Sequence, residues 1–139
     1  MMRTLFLIAA VTLLAAGAAA AADPAHEAIL AEYLRQARQA DPGFAGFSAR
    51  RGEAMFTARH TVNPDVPSCT TCHTEDPTRP GRHYKTGRAI DPVAVSRTPT
   101  RFTDAEKVEE RFTRDCKNVM GRPCTAAEKG DYVAFMTSR

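Results

Sequence analysis

The sequence predicts an all-α fold interrupted by long loops, and three observations carry that expectation. Apolar residues recur at helical spacings of three and four, two segments open on a Ser/Thr-x-x-Glu capping pattern, and no segment shows the period-two alternation of a strand. Asp23 followed by Pro24 and Glu27 reads as a helix start, with Ile29, Leu30, Tyr33, Leu34 and Ala37 on one side and Asp41-Pro42-Gly43 as the stop. A second helix is expected from Phe47 to about Arg59, with Gly52, Met55 and Phe56 on one face, leading into a loop that contains Pro64 and Pro67. Between His73 and Phe102 the run of Pro77, Pro80, Gly81, Gly87, Pro92 and Pro99 is too punctuated for a long helix or a regular sheet. Thr103 with Glu106 and Thr125 with Glu128 then open two helices, from about Asp104 to Val119 and from about Ala126 to Thr137. There is no internal repeat or low-complexity segment beyond the N-terminus.

Residues 1–22 read as a secretory signal peptide: Arg3 is the positive end, Leu5 to Leu14 the apolar core, and Ala15 to Ala22 the small residues for cleavage. An uncleaved anchor is the competing reading, without the stop-transfer pattern it would need. Residues 23–139 then form one domain, exported to the periplasm, with no membrane span of its own and too short to build a large core from protein alone. Tryptophan is absent, aromatics are 7% of residues, and the formal charge of +3 becomes +2 without Arg3. That balance, with no basic run interleaved with aromatics, argues against a nucleic-acid partner.

Cys69-Thr70-Thr71-Cys72-His73 carries the chemistry. Two thiols on a single helical turn suit thioether bonds to one side of a porphyrin, and the next residue then lies under the iron as its axial ligand. The segment therefore predicts one covalently attached haem c, bound through Cys69 and Cys72 and ligated by His73. A zinc site would need two more ligands, and Cys116 and Cys124 lack zinc-knuckle spacing. A thioredoxin-like dithiol would need a βαβ pattern that is absent. His26, His60 and His83 read as solvated rather than iron-bound.

Five segments go further: Arg51-Gly52-x-x-Met55-Phe56, Pro67 to His73, Thr86-Gly87-x-x-Ile90-x-Pro92, Arg101-Phe102-Thr103-Asp104, and Cys124-Thr125-x-x-Glu128-Lys129. Together, over nearly all of residues 23–139, they resemble the oxygen-binding monohaem cytochromes of the sphaeroides haem protein family, a group long labelled a domain of unknown function. The resemblance implies a class I cytochrome c-like fold around one haem, and a disulfide between Cys116 and Cys124. It also implies a sixth iron ligand just before the first of those cysteines. The family typically places there an asparagine that leaves on reduction; here the residue is Asp115.

On a helix, Ala105, Val108, Phe112 and Val119 share one face and Asp115 falls at its margin, whereas Asn118 points away. An anionic carboxylate prefers ferric iron more strongly than an amide does, so Asp115 is a candidate sixth ligand. Two alternatives stay open. Asp115 can instead be a non-ligating distal residue paired with Arg111 or Arg114, or Met120 can take the sixth position, unless Gly121 draws it into a turn. Met55 and Met136 read as core.

Pro92 resembles the proline whose carbonyl accepts the Nδ1 proton of the proximal histidine. Gly52, Phe56 and Val133 match positions where the helix before the haem motif crosses the last helix, and Arg79, Arg82, Lys85 and Arg88 form a basic stretch read foremost as a solvated face. Three functions are compatible: a one-electron carrier, ranked first; a binder of oxygen or nitric oxide at a site that opens on reduction; and a peroxidase-type enzyme with Asp115 as proton relay. The family resemblance implies a dihaem cytochrome or a membrane b-type cytochrome as redox partner.

Overall fold

The structure, a computed structural model, describes residues 23–139; the expected signal peptide lies outside them. Helix α1 spans Pro24–Ala40. Asp23 caps it by accepting from the Ala25 N–H at 2.8 Å, Pro24 takes the first turn, and the Asp41 N–H closes it on the Ala37 carbonyl. Helix α2, Ala49–Thr57, is shorter than the sequence pattern predicts because Ser48, not a residue before it, accepts from the Arg51 N–H. Phe47 stays outside the helix and packs under Gly130, where a β-carbon would fall 2.1 Å from its ring.

A single turn, α3 (Thr70–His73), carries the Cys-x-x-Cys-His segment. Within the punctuated stretch that follows, Gly81–Arg82 (β1) and Ala89–Ile90 (β2) pair antiparallel, Gly81 opposite Ile90. This ribbon corrects the expectation of loop alone; two residues per strand are too few for an alternation to show.

Helix α4 spans Ala105–Met120 and α5 spans Ala126–Thr137. The cap of α4 also differs from the one expected: Asp104 accepts from the Lys107 N–H at 3.1 Å, while the Thr103 hydroxyl turns back to donate to the Thr100 carbonyl. Thr125 and Glu128 form the expected reciprocal capping box. Gly121, at φ 72°, ends α4 in the left-handed conformation that glycine adopts without steric cost, and Met120 remains the last helical residue.

Helices α1 and α2 both pack on α5. Phe56, Val133 and Met136 are fully buried, with Phe135 beside them and Tyr132 edge-on to Phe112. The crossing of α2 on α5 is close enough that a β-carbon at Gly52 would fall 2.0 Å from the Asp131 carbonyl oxygen. Asp131, itself buried, answers from the other helix: its carboxylate accepts from the Ser48 N–H at 2.7 Å and from Arg51 Nε and Nη2 at 2.6 and 2.8 Å. A buried carboxylate with charged and backbone donors keeps its desolvation offset.

Helix α4 is fastened to the same bundle through Glu109, which accepts from the Tyr33 hydroxyl at 2.5 Å and from Lys129 Nζ at 2.7 Å. Burial would raise the Glu109 carboxyl, but the Lys129 and Tyr33 hydrogen bonds outweigh it and hold it below its ordinary range. The ammonium of Lys129 also stands over the Tyr33 ring at 5.5 Å.

His26, expected to be solvated, is buried at 5% exposure. Its ring meets Phe102 edge-on and its Nε2 lies 3.1 Å from Thr137 Oγ1. The Thr137 hydroxyl already donates to the Val133 carbonyl, so it accepts from His26. The first helix and the last residues of α5 are joined there. Among the described residues, no helix is long and apolar enough to cross a membrane.

Gly52→Ala places a methyl against backbone that has no room to yield. Its urea midpoint should fall by the equivalent of about 3 kcal/mol at unchanged slope, whereas Gly46→Ala, in open space but at φ 137°, should lose less.

Candidate haem site

The turn that carries the two thiols is built from below by Ser68. This residue is 1% exposed. Its hydroxyl donates to the Phe56 carbonyl at the end of α2 (3.1 Å) and accepts from Thr70 N and Thr70 Oγ1 at 3.3 and 3.0 Å. One side chain thus joins the α2–α5 crossing to the first turn of α3. The His60 N–H bonds the Pro67 carbonyl at 2.7 Å and draws the intervening loop closed. From above, Gly81 lies directly on the turn: a β-carbon there would come within 2.0 Å of the Cys72 carbonyl oxygen.

Cys69 and Cys72 sit at the start and near the end of this turn, both partly exposed and both free thiols. Cys69 packs against the rim of the core. Burial, with the Asp115 charge added, pushes its thiol up to about 11, so the sulfur is uncharged at neutral pH. His73 closes the turn through its N–H to the Cys69 carbonyl. Burial pushes its imidazole below the ordinary range; Asp115 acts against that shift while Arg101 and Arg111 act with it. A neutral imidazole is the form that ligates a metal.

The Pro92 carbonyl does not orient that ring. It accepts instead from Thr98 Oγ1 at 2.8 Å and Arg101 Nε at 3.3 Å, which fill both its lone-pair directions. Arg101 also donates to the Asp91 carbonyl at 2.8 Å, so one guanidinium clips residues 91 and 92 in place beside the turn. In the sequence Arg101 stands only as part of a family segment, without this role, which depends on contacts nine and ten residues away.

Helix α4 supplies the other side. Val108, Phe112, Cys116 and Val119 are buried, and Asp115 stands at the edge of that stripe with a half-exposed side chain. Its charge reaches Cys69, His73 and the buried Tyr132, whose hydroxyl is raised mainly by burial and then by Cys69 and Asp115. The carboxylate is held bidentately by Arg114, Nε to Oδ1 at 2.7 Å and Nη2 to Oδ2 at 3.1 Å. Of the two arginines weighed as partners, Arg114 makes the pair.

Cys116 and Cys124 form a disulfide, with Cα atoms 5.6 Å apart. A loop this short contributes about 2.5 kcal/mol in the chain-entropy account. Met120 lies against it, its sulfur 3.6 Å from Cys124 Sγ. Asn118 turns outward to accept from Asn63 Nδ2 at 2.8 Å, a bond between α4 and the loop before the thiols that no local pattern announces.

His60 and His83 stand apart from the turn in half-buried positions, and His83 Nδ1 is occupied by its own hairpin, at 3.2 Å from Thr86 N. Among the described residues, no three His, Cys, Asp or Glu side chains converge as a metal cluster. Two surface depressions, of about 220 and 300 Å³, lie elsewhere, beside Pro77 and Phe135 and between α1 and the start of α4. Two free thiols on one turn followed by a half-buried imidazole, its pKa lowered by burial, is a donor set that fits a covalently attached haem.

Residues 42–136 match a family described as a domain of unknown function (DUF1924). The chain is 43% identical over 137 residues to the cytochrome c-type protein SHP of Cereibacter sphaeroides, covering 98% of this chain and 99% of that one. The chain belongs to the sphaeroides haem protein family. It superimposes on oxidised SHP, an oxygen-binding cytochrome c, with a TM-score of 0.74 and 42% identity, over 82% of this chain and 96% of that one. Cytochrome c'' of Methylophilus methylotrophus is 32% identical over 79% of this chain and 77% of its own length. The solution structure of that protein, which bears on haem-ligand detachment, matches with a TM-score of 0.70 at 31% identity, over 82% of this chain and 93% of that one. This member of the family has the helical cytochrome fold and is a monohaem cytochrome c, carrying one covalently attached haem c.

Ser68→Ala removes the link between α2 and the thiol-bearing turn and leaves the buried Phe56 carbonyl without this donor. Stability measured by urea unfolding should drop by about 2 kcal/mol.

Proposed function

We propose that this family member is an exported, periplasmic one-electron carrier whose haem is attached through Cys69 and Cys72, with His73 as axial ligand, and whose sixth position opens on reduction. The observation that carries the attachment is the division of the four cysteines. Cys116 and Cys124 are bonded to each other, so the thioethers of a haem c fall to the two thiols that remain, one turn apart.

The haem supplies a ferric/ferrous couple and a sixth coordination position. The protein's part is to hold what surrounds it. Ser68 and Gly81 clamp the attachment turn from two sides, burial keeps the His73 imidazole neutral, and Arg101 fixes the neighbouring loop. Asp115 brings a negative charge from α4, next to a disulfide that limits how far the end of that helix can move. An anion favours the more positive redox state, so the arrangement lowers the potential and makes Asp115 easier to release on reduction.

Binding of a small diatomic ligand, oxygen or nitric oxide, is a second reading. It is favoured by one observation: Arg114 already offers the Asp115 carboxylate two hydrogen bonds at the surface, a place to rest when it is not ligating. Met120 is the weaker candidate for the sixth position, since it is the last residue of α4 and its sulfur packs against the disulfide, 3.6 Å from Cys124 Sγ.

Two outcomes test the reading. The exported protein should carry a haem adduct by intact mass, and Cys69→Ala/Cys72→Ala should carry none; an adduct retained in the double variant refutes attachment at this turn. Asp115→Ala should alter the ferric absorption and magnetic circular dichroism spectra and raise the reduction potential, while the ferrous protein is high-spin and shifts with carbon monoxide. A low-spin ferrous state with a sulfur-to-iron signature would assign the position to Met120 instead.

A further inference from the structure

The charges of this chain are unevenly placed. Between Arg79 and Arg101 stand six basic side chains, Arg79, Arg82, Lys85, Arg88, Arg97 and Arg101, against one acidic residue, Asp91. Over the rest of residues 23–139, fifteen acidic residues face twelve basic ones. The whole positive balance of the domain therefore resides in one segment.

Pairing is as uneven as the count. Seven ion pairs occur among the described residues, and each joins two groups outside 79–101. Within the segment, Arg82 donates to the Gly87 carbonyl at 3.1 Å and Arg101 to those of Asp91 and Pro92. Such bonds fix where the guanidinium groups stand and leave their charge unneutralised. Arg79, Arg82, Lys85, Arg88 and Arg97 are all exposed.

The segment also has a defined place. Its ribbon, β1 with β2, is seated on the thiol-bearing turn at Gly81. A like-charged, unpaired face attracts anions from a distance and orients them as they approach. A nucleic acid fits poorly, because the rest of the surface is net negative and Tyr84 is the one aromatic residue in the segment.

We propose that the 79–101 face is the docking surface for an acidic redox partner protein, placing that partner's electron donor or acceptor beside the attachment turn. The inference rests on the haem attachment proposed above; a failure of that attachment would appear earlier, as a missing mass adduct.

The test uses haem-loaded protein and stopped-flow oxidation of its ferrous form. One electron passes to hexacyanoferrate(III), giving hexacyanoferrate(II), or to the cationic tris(phenanthroline)cobalt(III), giving the cobalt(II) complex. Arg82→Glu/Arg88→Glu should slow the reaction with the anionic oxidant about tenfold at low salt and speed that with the cationic one, and the difference should fade at high salt. Poly-L-glutamate should inhibit the unaltered protein and not the variant. Arg38→Glu/Arg50→Glu carries the same charge change on α1 and α2 and should alter either rate less than about twofold. Equal effects of the two variants would reduce the observation to net charge and overturn the proposal. So would a shift of the haem spectrum or potential in Arg82→Glu/Arg88→Glu, which would make these arginines partners of the haem propionates.

Discussion

Everything at the haem site is referred to the contact of α2 with α5. Gly52 lets the two backbones approach without an intervening side chain, and Asp131 holds the approach by accepting three hydrogen bonds from the start of α2. That places Phe56 in the centre of the core, and with it the carbonyl to which Ser68 is tied. Displacement at the crossing would therefore be carried through Ser68 to Cys69. The small contact matters more for position than for the area it buries.

The opposite wall is secured independently. Helix α4 is held at its middle by the Glu109 bonds to Tyr33 and Lys129, and at its end by the Cys116–Cys124 bridge and the Asn118–Asn63 bond. Asp115 lies between these two fastenings, its half-exposed carboxylate paired with its neighbour Arg114. Consecutive residues on a helix diverge by about 100°, so their pairing requires both side chains to bend along the surface. The helix is fastened at two points, whereas the carboxylate is held by one half-exposed ion pair.

How much of this could be read in advance follows the range of the interactions. The start of α1, the Thr125–Glu128 box and the apolar stripe of α4 are local, and the residues within three or four positions specify them. Thr103 misled because Asp104, one position on, is an equally good cap; Phe102, at φ 58°, turns the chain so that the Asp104 side chain faces the first free N–H groups. His26 looked solvated because what buries it, Phe102 and Thr137, lies 76 and 111 residues away. The contacts of Ser68 and Arg101 were hidden for the same reason, although both residues stand in the segments that carry the family resemblance, while the Cys69, Cys72 and His73 motif is recognisable by spacing alone. Asp115 is a candidate sixth ligand only through the family resemblance, since a lone aspartate at a helix margin has no chemistry of its own to announce.

The bond between His26 and Thr137 has a temporal side as well. A chain that emerges N-terminus first presents residue 26 early and residue 137 almost last, so the bundle has no means of closing while it is still being delivered. Cys69 and Cys72 come out ahead of α4 and α5, and ahead of Cys116 and Cys124. For that interval the two thiols are accessible and have only each other as a competing partner, of the three ways in which four cysteines can pair. The join that completes the domain is thus among the last that the emerging chain can form.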